Sequence, residues 1–202
     1  MSLQADLMIM LPELILAVGA MVLLLAGAIG GEKAAPTMSW AAIALLVLAG
    51  VAVAIGGEGV AFGGAFIADG FSCFASILIL IGSALCILLA DEFFSSIQFS
   101  RFELPVLMVI ATLGMLLMVS AGSFLSLYMG LELQSLGLYV LAAFNRDHLR
   151  STEAGLKYFV LGALSSGMML YGISLIYGMT GATGFAAVAQ AVSATSAGNL
   201  GI

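Results

Sequence analysis

Residues Phe71–Leu89 have the sequence FSCFASILILIGSALCILL, which contains no Asp, Glu, Lys, Arg or His. A helix needs about 20 mainly apolar residues to cross a bilayer, because the hydrocarbon core is about 30 Å thick and each helical residue adds about 1.5 Å. This stretch meets the requirement. It is therefore predicted to cross a membrane as a single helix.

Five further stretches, on both sides of this one, share its apolar character and similar length: Leu7–Ile29, Met38–Ile55, Leu104–Ala121, Ser123–Phe144 and Ala154–Met179. Unpaired backbone groups are costly in lipid, and none of the stretches alternates as barrel strands do, so we expect helices. The predicted fold is an all-α membrane protein of about six transmembrane helices. Between the second and third helices, Gly63 and Gly64 lie among β-prone residues and predict a small hairpin.

The composition supports a membrane protein and excludes several other classes. Hydrophobic residues make up 63% of the chain and charged residues 8%, whereas a soluble domain has about 25% charged residues. The net charge is −6, but the acidic residues are scattered, and five Lys and Arg residues are too few for a nucleic-acid groove. Cys73 and Cys86 lack the spacing of a metal site.

The cations predict how the helices are oriented. Lys33 lies in the first predicted loop, Arg101 in the third, and Arg146 and Arg150 in the fifth, while the second and fourth loops have none. Loops of odd number share one side of the membrane, and loops rich in Lys and Arg face the cytoplasm. Both chain termini are therefore expected on the periplasmic side.

Glu132 lies near the middle of the fifth predicted helix, with about ten residues on either side. A charge at that depth costs about 2.5–3.5 kcal/mol, so such a residue normally faces protein or water and marks an ion path. Helical spacing places Tyr128, Ser135 and Tyr139 on the same stripe. The stripe favours a proton relay at Glu132, while a structural hydrogen bond between helices is the alternative.

Lys157 lies in the first turn of the sixth predicted helix, and two interpretations of it remain open. Its side chain is long enough to return the ammonium to the membrane surface, yet desolvation by the apolar residues that follow favours the neutral amine of a proton carrier. If Lys157 and Glu132 approached each other, each would favour the charged form of the other. Near the start of the first helix, Pro12 and Glu13 are interpreted as capping residues.

Two segments carry a resemblance to a known family. Residues 130–144 read GLELQSLGLYVLAAF and residues 151–167 read STEAGLKYFVLGALSSG. Both are similar to the subunit N family of bacterial NADH-quinone oxidoreductase (respiratory complex I), which is one of the antiporter-like membrane subunits. Weaker support comes from residues 12–14, PEL, and residues 66–71, FIADGF. The resemblance covers essentially the whole chain.

The resemblance implies a proton-translocating subunit of the membrane arm, which couples electron transfer from NADH to quinone to proton pumping in the bacterial inner membrane. The chain itself would carry no redox centre, because FMN and the iron–sulfur clusters reside in partner subunits. The expected partners are other membrane-arm subunits and the lipid bilayer. In the family, the counterpart of Glu132 pairs with a lysine on the seventh helix, and Lys157 matches the lysine of the sixth.

Family members continue beyond the seventh helix in two inverted repeats, so the chain corresponds to their N-terminal part. We expect four helices in residues 1–121, the two helices with the proton-channel residues in 122–181, and a short helix with a tail in 182–202. That tail would lead toward a seventh helix, which the chain lacks. Two alternatives remain: a subunit of a multisubunit cation/proton antiporter, and a structural membrane subunit without transport activity. The continuation Gln134-Ser135-Leu136 favours complex I.

Overall fold

The computed structural model describes residues 3–31, 34–96 and 101–197. Its elements in chain order are α1 (Leu3–Ile9), α2 (Leu11–Gly30), α3 (Ala35–Ile55), β1 (Gly59–Ala61), β2 (Phe66–Ala68), α4 (Gly70–Ser96), α5 (Glu103–Val119), α6 (Phe124–Ala142), α7 (Leu149–Thr180) and α8 (Phe185–Ala197). The fifth and sixth predicted helices are thus α6 and α7. Lys33, used above for the orientation, lies outside the described residues.

The predicted fold class is confirmed. Within the described residues, five helices are long and apolar enough to cross a membrane: α2, α3, α4, α6 and α7. The remaining predicted span forms α5, which has 17 residues and therefore extends about 26 Å, at the lower limit for crossing the hydrocarbon core. The number of membrane crossings therefore stays an approximate prediction.

The first predicted span, Leu7–Ile29, is divided into two helices at Met10. Met10 has φ −91° and ψ 16°, and α2 begins after it with a proline in its first turn. A proline is tolerated there because the N–H groups of the first turn have no partner within the helix in any case. The division separates a short helix, α1, from the span itself.

The hairpin between the second and third predicted helices is present as β1 and β2. The strands pair antiparallel, and Gly63 and Gly64 form the turn with φ of +64° and +95°, a conformation that glycine adopts without strain. The hairpin also binds other loops. The Ile67 N–H donates to the Ser120 carbonyl at 2.8 Å, and the Gly122 N–H donates to the Ala65 carbonyl at 3.0 Å.

The loop between α5 and α6 also forms backbone hydrogen bonds with the segment before α8. The Phe124 N–H donates to the Thr183 carbonyl at 3.0 Å, and the Phe185 N–H donates to the Gly122 carbonyl at 3.1 Å. Residues 59–68, 120–123 and 183–185 are therefore joined by backbone hydrogen bonds. We call this end of the molecule the hairpin end.

The buried apolar core lies among α2, α3, α4 and α5, with Leu16, Leu46, Ile87 and Val109 almost wholly inaccessible to solvent. α6 packs on α5 in the most extensive helix pair of the structure, and α7 packs on α6. Glycines allow the first of these contacts, because a Cβ at Gly130 would meet the Met118 nitrogen at 2.8 Å and the Gly114 oxygen at 2.9 Å. The site described next lies at the second contact, outside the core.

Candidate functional site

Glu132 lies near the middle of α6 and is half-buried at the interface with α7. The Ser166 hydroxyl of α7 donates a hydrogen bond to Glu132 Oε1. The Tyr128 hydroxyl lies 2.9 Å from Ser166 Oγ. Three polar side chains thus form a continuous hydrogen-bonded group between two apolar helices.

The local sequence explains why these side chains converge. Tyr128 and Glu132 are four residues apart on α6 and therefore project from one face. A capping box fixes where α6 begins: the Ser126 N–H donates to Ser123 Oγ at 3.1 Å, and the Ser123 N–H donates to Ser126 Oγ at 3.1 Å. The hydrogen bonds of Ser166 to both Tyr128 and Glu132 show that this face of α6 meets Ser166 of α7.

Toward the other end of α6, the predicted stripe becomes aromatic. The Tyr139 ring packs edge-to-face on Tyr158, with centroids 4.8 Å apart, and on Phe159, with centroids 5.7 Å apart. Its hydroxyl occupies the position that a side chain at Gly162 would need. Ser135 is half-buried on α6 between Glu132 and Tyr139. Tyr128, Glu132 and Tyr139 all contact α7, so the stripe follows the α6–α7 interface.

Lys157 lies on α7 away from this group. Its ammonium bonds to Glu153 Oε1 at 2.6 Å, and its side chain is 70% exposed. Nine positions separate it from Ser166, which is about two and a half turns, so the two side chains project from opposite faces of α7. Lys157 therefore pairs with Glu153 on its own helix, and the approach to Glu132 that the sequence left open is not formed among the described residues.

A cavity of about 450 Å³ adjoins the stripe at the end opposite the hairpin. Its wall includes Tyr139 together with Arg101, Glu103, Arg146 and Asp147. Glu103 Oε2 is buried and has no hydrogen-bond partner among the described residues. Because arginines of the third and fifth loops line one cavity, these two loops share an end of the molecule, which we call the arginine end. This pairing agrees with the charge pattern used to predict the orientation.

The sequence did not identify two residues of this region. Ser166 was one of several small residues on α7, and its role becomes visible only once α7 is aligned against α6. Glu103 was not singled out from the sequence, although its position two residues from Arg101 was a signal of a polar cluster. Within the described part of the chain, no group of three or more His, Cys, Asp and Glu side chains is arranged to hold a metal ion.

Comparison with known proteins shows what this chain is similar to. The family profile described as NADH:quinone oxidoreductase/Mrp antiporter, TM, matches residues 121–201, which include α6 and α7. The chain is 58% identical over 194 residues to NADH-quinone oxidoreductase subunit N 1 of Rhizobium meliloti, covering 96% of this chain and 40% of that protein. The chain thus spans about two-fifths of the length of the curated relatives that it matches.

Comparison with solved structures gives the same result. A chain of respiratory complex I from Thermus thermophilus superposes with a TM-score of 0.72 at 32% identity, covering 90% of this chain and 41% of the other. A chain of the archaeal membrane-bound sulfane sulfur reductase superposes with a TM-score of 0.71 at 25% identity, covering 94% of this chain and 40% of the other. The resemblance inferred from residues 130–167 is therefore confirmed. Over residues 121–201 the chain matches the profile of the antiporter-like membrane subunits, and over nearly its whole length it is similar to NADH-quinone oxidoreductase subunit N, of which it spans about two-fifths.

Proposed function

We propose that this chain carries part of the proton path of a membrane-arm subunit of NADH-quinone oxidoreductase. The observation that carries the proposal is the hydrogen-bonded group Tyr128–Ser166–Glu132 between α6 and α7. A carboxyl group in the middle of an apolar span is costly to keep, and it is normally retained where ions or protons move. Residues 122–181 would hold this path, and residues 1–121 would support it.

The hydrogen bonds of the group have a direction that protonation reverses. A serine hydroxyl has one proton to donate, and Ser166 donates it to Glu132, so the Tyr128 hydroxyl must donate to Ser166 Oγ. When Glu132 gains a proton, its carboxyl becomes a donor, and Ser166 is then free to donate toward Tyr128. The group therefore has two arrangements, one for each protonation state of Glu132, and conversion between them moves a proton along the interface.

Protons would reach this group from the arginine end. The cavity there includes Glu103 and borders Tyr139, which lies two helical turns from Glu132 on the same stripe. Ser135 lies between them. Glu132 would serve as the central proton carrier, and Tyr128, Ser135 and Tyr139 would support it.

Lys157 is proposed as the second proton carrier. In the described residues its ammonium is held by Glu153 at 2.6 Å, on the face of α7 that α6 does not cover. Exchange between Lys157 and Glu132 would therefore pass through water or through groups supplied by the neighbouring part of the complex. Opening of the Lys157–Glu153 pair would make the ammonium available for that exchange.

The wider role follows from the relatives. The whole complex would oxidise NADH, reduce quinone and pump protons across the bacterial inner membrane, with FMN and iron–sulfur clusters held by partner subunits. This chain would contact other membrane-arm subunits and lipid. The arginine end would face the cytoplasm, and both termini would face the periplasm.

The test is a Glu132→Gln substitution in the full-length protein within the intact complex. Glutamine keeps the size and accepts the Ser166 hydrogen bond but cannot carry a proton, so proton translocation should be lost while the complex assembles. Proton uptake by inverted membrane vesicles after NADH addition measures the loss. Glu92→Gln, at an exposed position near the end of α4, is the control and should leave translocation unchanged. Normal pumping by Glu132→Gln would contradict the proposal.

A second candidate is a subunit of a multisubunit cation/proton antiporter, because the matching family profile includes the Mrp antiporters in its description. The two candidates differ in what drives proton movement. In the complex I role, NADH oxidation drives it, and a sodium gradient alone has no effect. Proton movement driven by an imposed sodium gradient in vesicles without NADH would favour the antiporter.

A further inference from the structure

A second cavity, of about 790 Å³, lies at the hairpin end of the molecule. The end of α1, the start of α2, the end of α3, the hairpin, the start of α4 and Ser120 line it. The polar side chains in its wall are all oxygen-bearing except for Cys73: Glu13, Glu58, Asp69, Ser72, Ser76 and Ser120. No Lys, Arg or His occurs among the described residues that line it. The cavity is large enough for many water molecules.

Glu13 differs from the other carboxyl groups of this cavity. Its side chain is 3% exposed, and Oε2 has no hydrogen-bond partner among the described residues. The Asp69 carboxylate, in contrast, accepts a hydrogen bond from the Ser72 N–H at 2.7 Å. It thereby caps the start of α4. Glu58 is exposed at the rim, near Gly70. Glu13 is thus a buried carboxyl with a free oxygen in the wall of a cavity whose lining is mainly apolar.

The chemistry of this environment decides the protonation state of Glu13. An ionised carboxylate there would be buried with no cation among the described residues of the cavity wall to compensate it, which is strongly unfavourable. Its place in the first turn of α2 offers the favourable end of a helix dipole, but that gain is smaller than the penalty for burying an unpaired charge. A bound proton removes the charge, and the resulting hydroxyl can donate to water in the cavity.

We propose that Glu13 is a protonation site that holds a proton and exchanges it with water in the cavity at the hairpin end. Its capping role, predicted from the sequence, is compatible with this, because the position in the helix and the free oxygen are separate features. The site is distinct from the Glu132 group, which lies between α6 and α7. It does not depend on the function proposed for Glu132, and it is tested without turnover of the complex.

The test is labelling with dicyclohexylcarbodiimide in membranes that contain the full-length protein in its complex. A protonated carboxyl gives its proton to a carbodiimide nitrogen while its oxygen bonds to the central carbon, and the adduct rearranges to a stable N-acylurea that retains every atom of both reactants. Peptide mapping by mass spectrometry over a pH series locates the adduct. The expected result is a Glu13 adduct that decreases as pH rises and exceeds labelling of exposed Glu58 by roughly tenfold or more.

Two variants serve as controls. Glu13→Gln should remove the adduct from this peptide, and Glu58→Gln, which changes the rim of the same cavity, should leave Glu13 labelling unchanged. Absence of a Glu13 adduct at every pH overturns the proposal, since the carboxyl is then ionised or closed off from the cavity. Protection of Glu13 by sodium or potassium ions at constant pH also overturns it, because the site would then bind an alkali cation instead of a proton.

Discussion

At the scale of single residues, the candidate site depends on one hydroxyl group. Ser166 bonds to both Glu132 and Tyr128, so it is the link between them. Its neighbour Ser165 is exposed on α7. Two adjacent serines of one helix therefore differ in role because only one of them faces α6.

Replacing this link tests the hydrogen-bonded group. We expect Ser166→Ala in the intact complex to slow proton translocation by roughly tenfold, because a lost hydrogen bond to a charged group is worth about 1.5–3 kcal/mol. The initial rate of vesicle acidification per NADH oxidised measures it. Ser165→Ala is the matched control and should pump normally. Equal rates for the two variants would show that the Ser166 hydroxyl has no part in proton movement.

The sequence predicted Glu132 as a site residue but did not predict Ser166. A single acidic residue in an apolar run is visible without a structure, because the cost of burying a charge depends mainly on depth. Which small residue of the neighbouring helix faces it depends on how α6 and α7 align, and that is fixed by contacts such as Gly155 against Ala143 and Gly162 against Tyr139. The ion pair of Lys157 with Glu153, in contrast, lies within α7 at i,i+4 spacing, which helical geometry alone allows.

At the scale of elements, the α5–α6 pair depends on glycine. A Cβ at Gly114 would meet backbone atoms of Gln134 and Gly130, and a Cβ at Gly130 would meet backbone atoms of Met118 and Gly114. Backbone atoms cannot move aside as a side-chain end can. The two helices can therefore approach this closely only without side chains at these positions, as is common in membrane helix pairs.

The close α5–α6 contact predicts how one added methyl group at Gly130 changes the stability of the protein. Gly130→Ala should destabilise the protein by about 1–3 kcal/mol through overpacking, whereas Gly172→Ala, where no atom lies within 4 Å of the added Cβ, should stabilise α7 by up to about 1 kcal/mol through helix propensity. The thermal unfolding midpoint of the detergent-solubilised protein measures both changes. A normal midpoint for Gly130→Ala would mean that the helices are farther apart than described.

The helices themselves were predictable from the sequence, and their ends were less so. Apolar length decides that a helix forms, and this was sufficient for α3, α4, α6 and α7. The division at Met10 and the shortness of α5 depend on local backbone geometry that hydrophobicity does not record. The hairpin was predictable because Gly63 and Gly64 adopt φ values that other residues avoid.

At the scale of the whole molecule, the helices separate two chemically different ends. The arginine end has Arg101 and Arg146 around one cavity, and the hairpin end has Glu13, Glu58 and Asp69 around another. Since cations accumulate on the cytoplasmic side, this separation predicts the orientation of the molecule in the membrane.

The orientation can be measured with single cysteines. After Cys73 and Cys86 are replaced by alanine in the full-length protein, Asp147→Cys should react with a membrane-impermeant maleimide only in inverted vesicles. Glu58→Cys, at the hairpin end, should react only in right-side-out vesicles. Labelling of both positions in the same vesicle type would contradict the alternating arrangement of the helices, and exchange of the two results would reverse the predicted orientation.

The backbone bonds at the hairpin end also impose an order on biosynthesis. The ribosome delivers the chain from its N-terminus, so the Ile67 N–H has no acceptor until Ser120 is made, and the Phe124 N–H has none until Thr183 is made. The β-hairpin is therefore translated long before the partners that secure it. Translation arrested before residue 183 would leave an immature product whose translocated loops are more sensitive to protease than those of the finished chain.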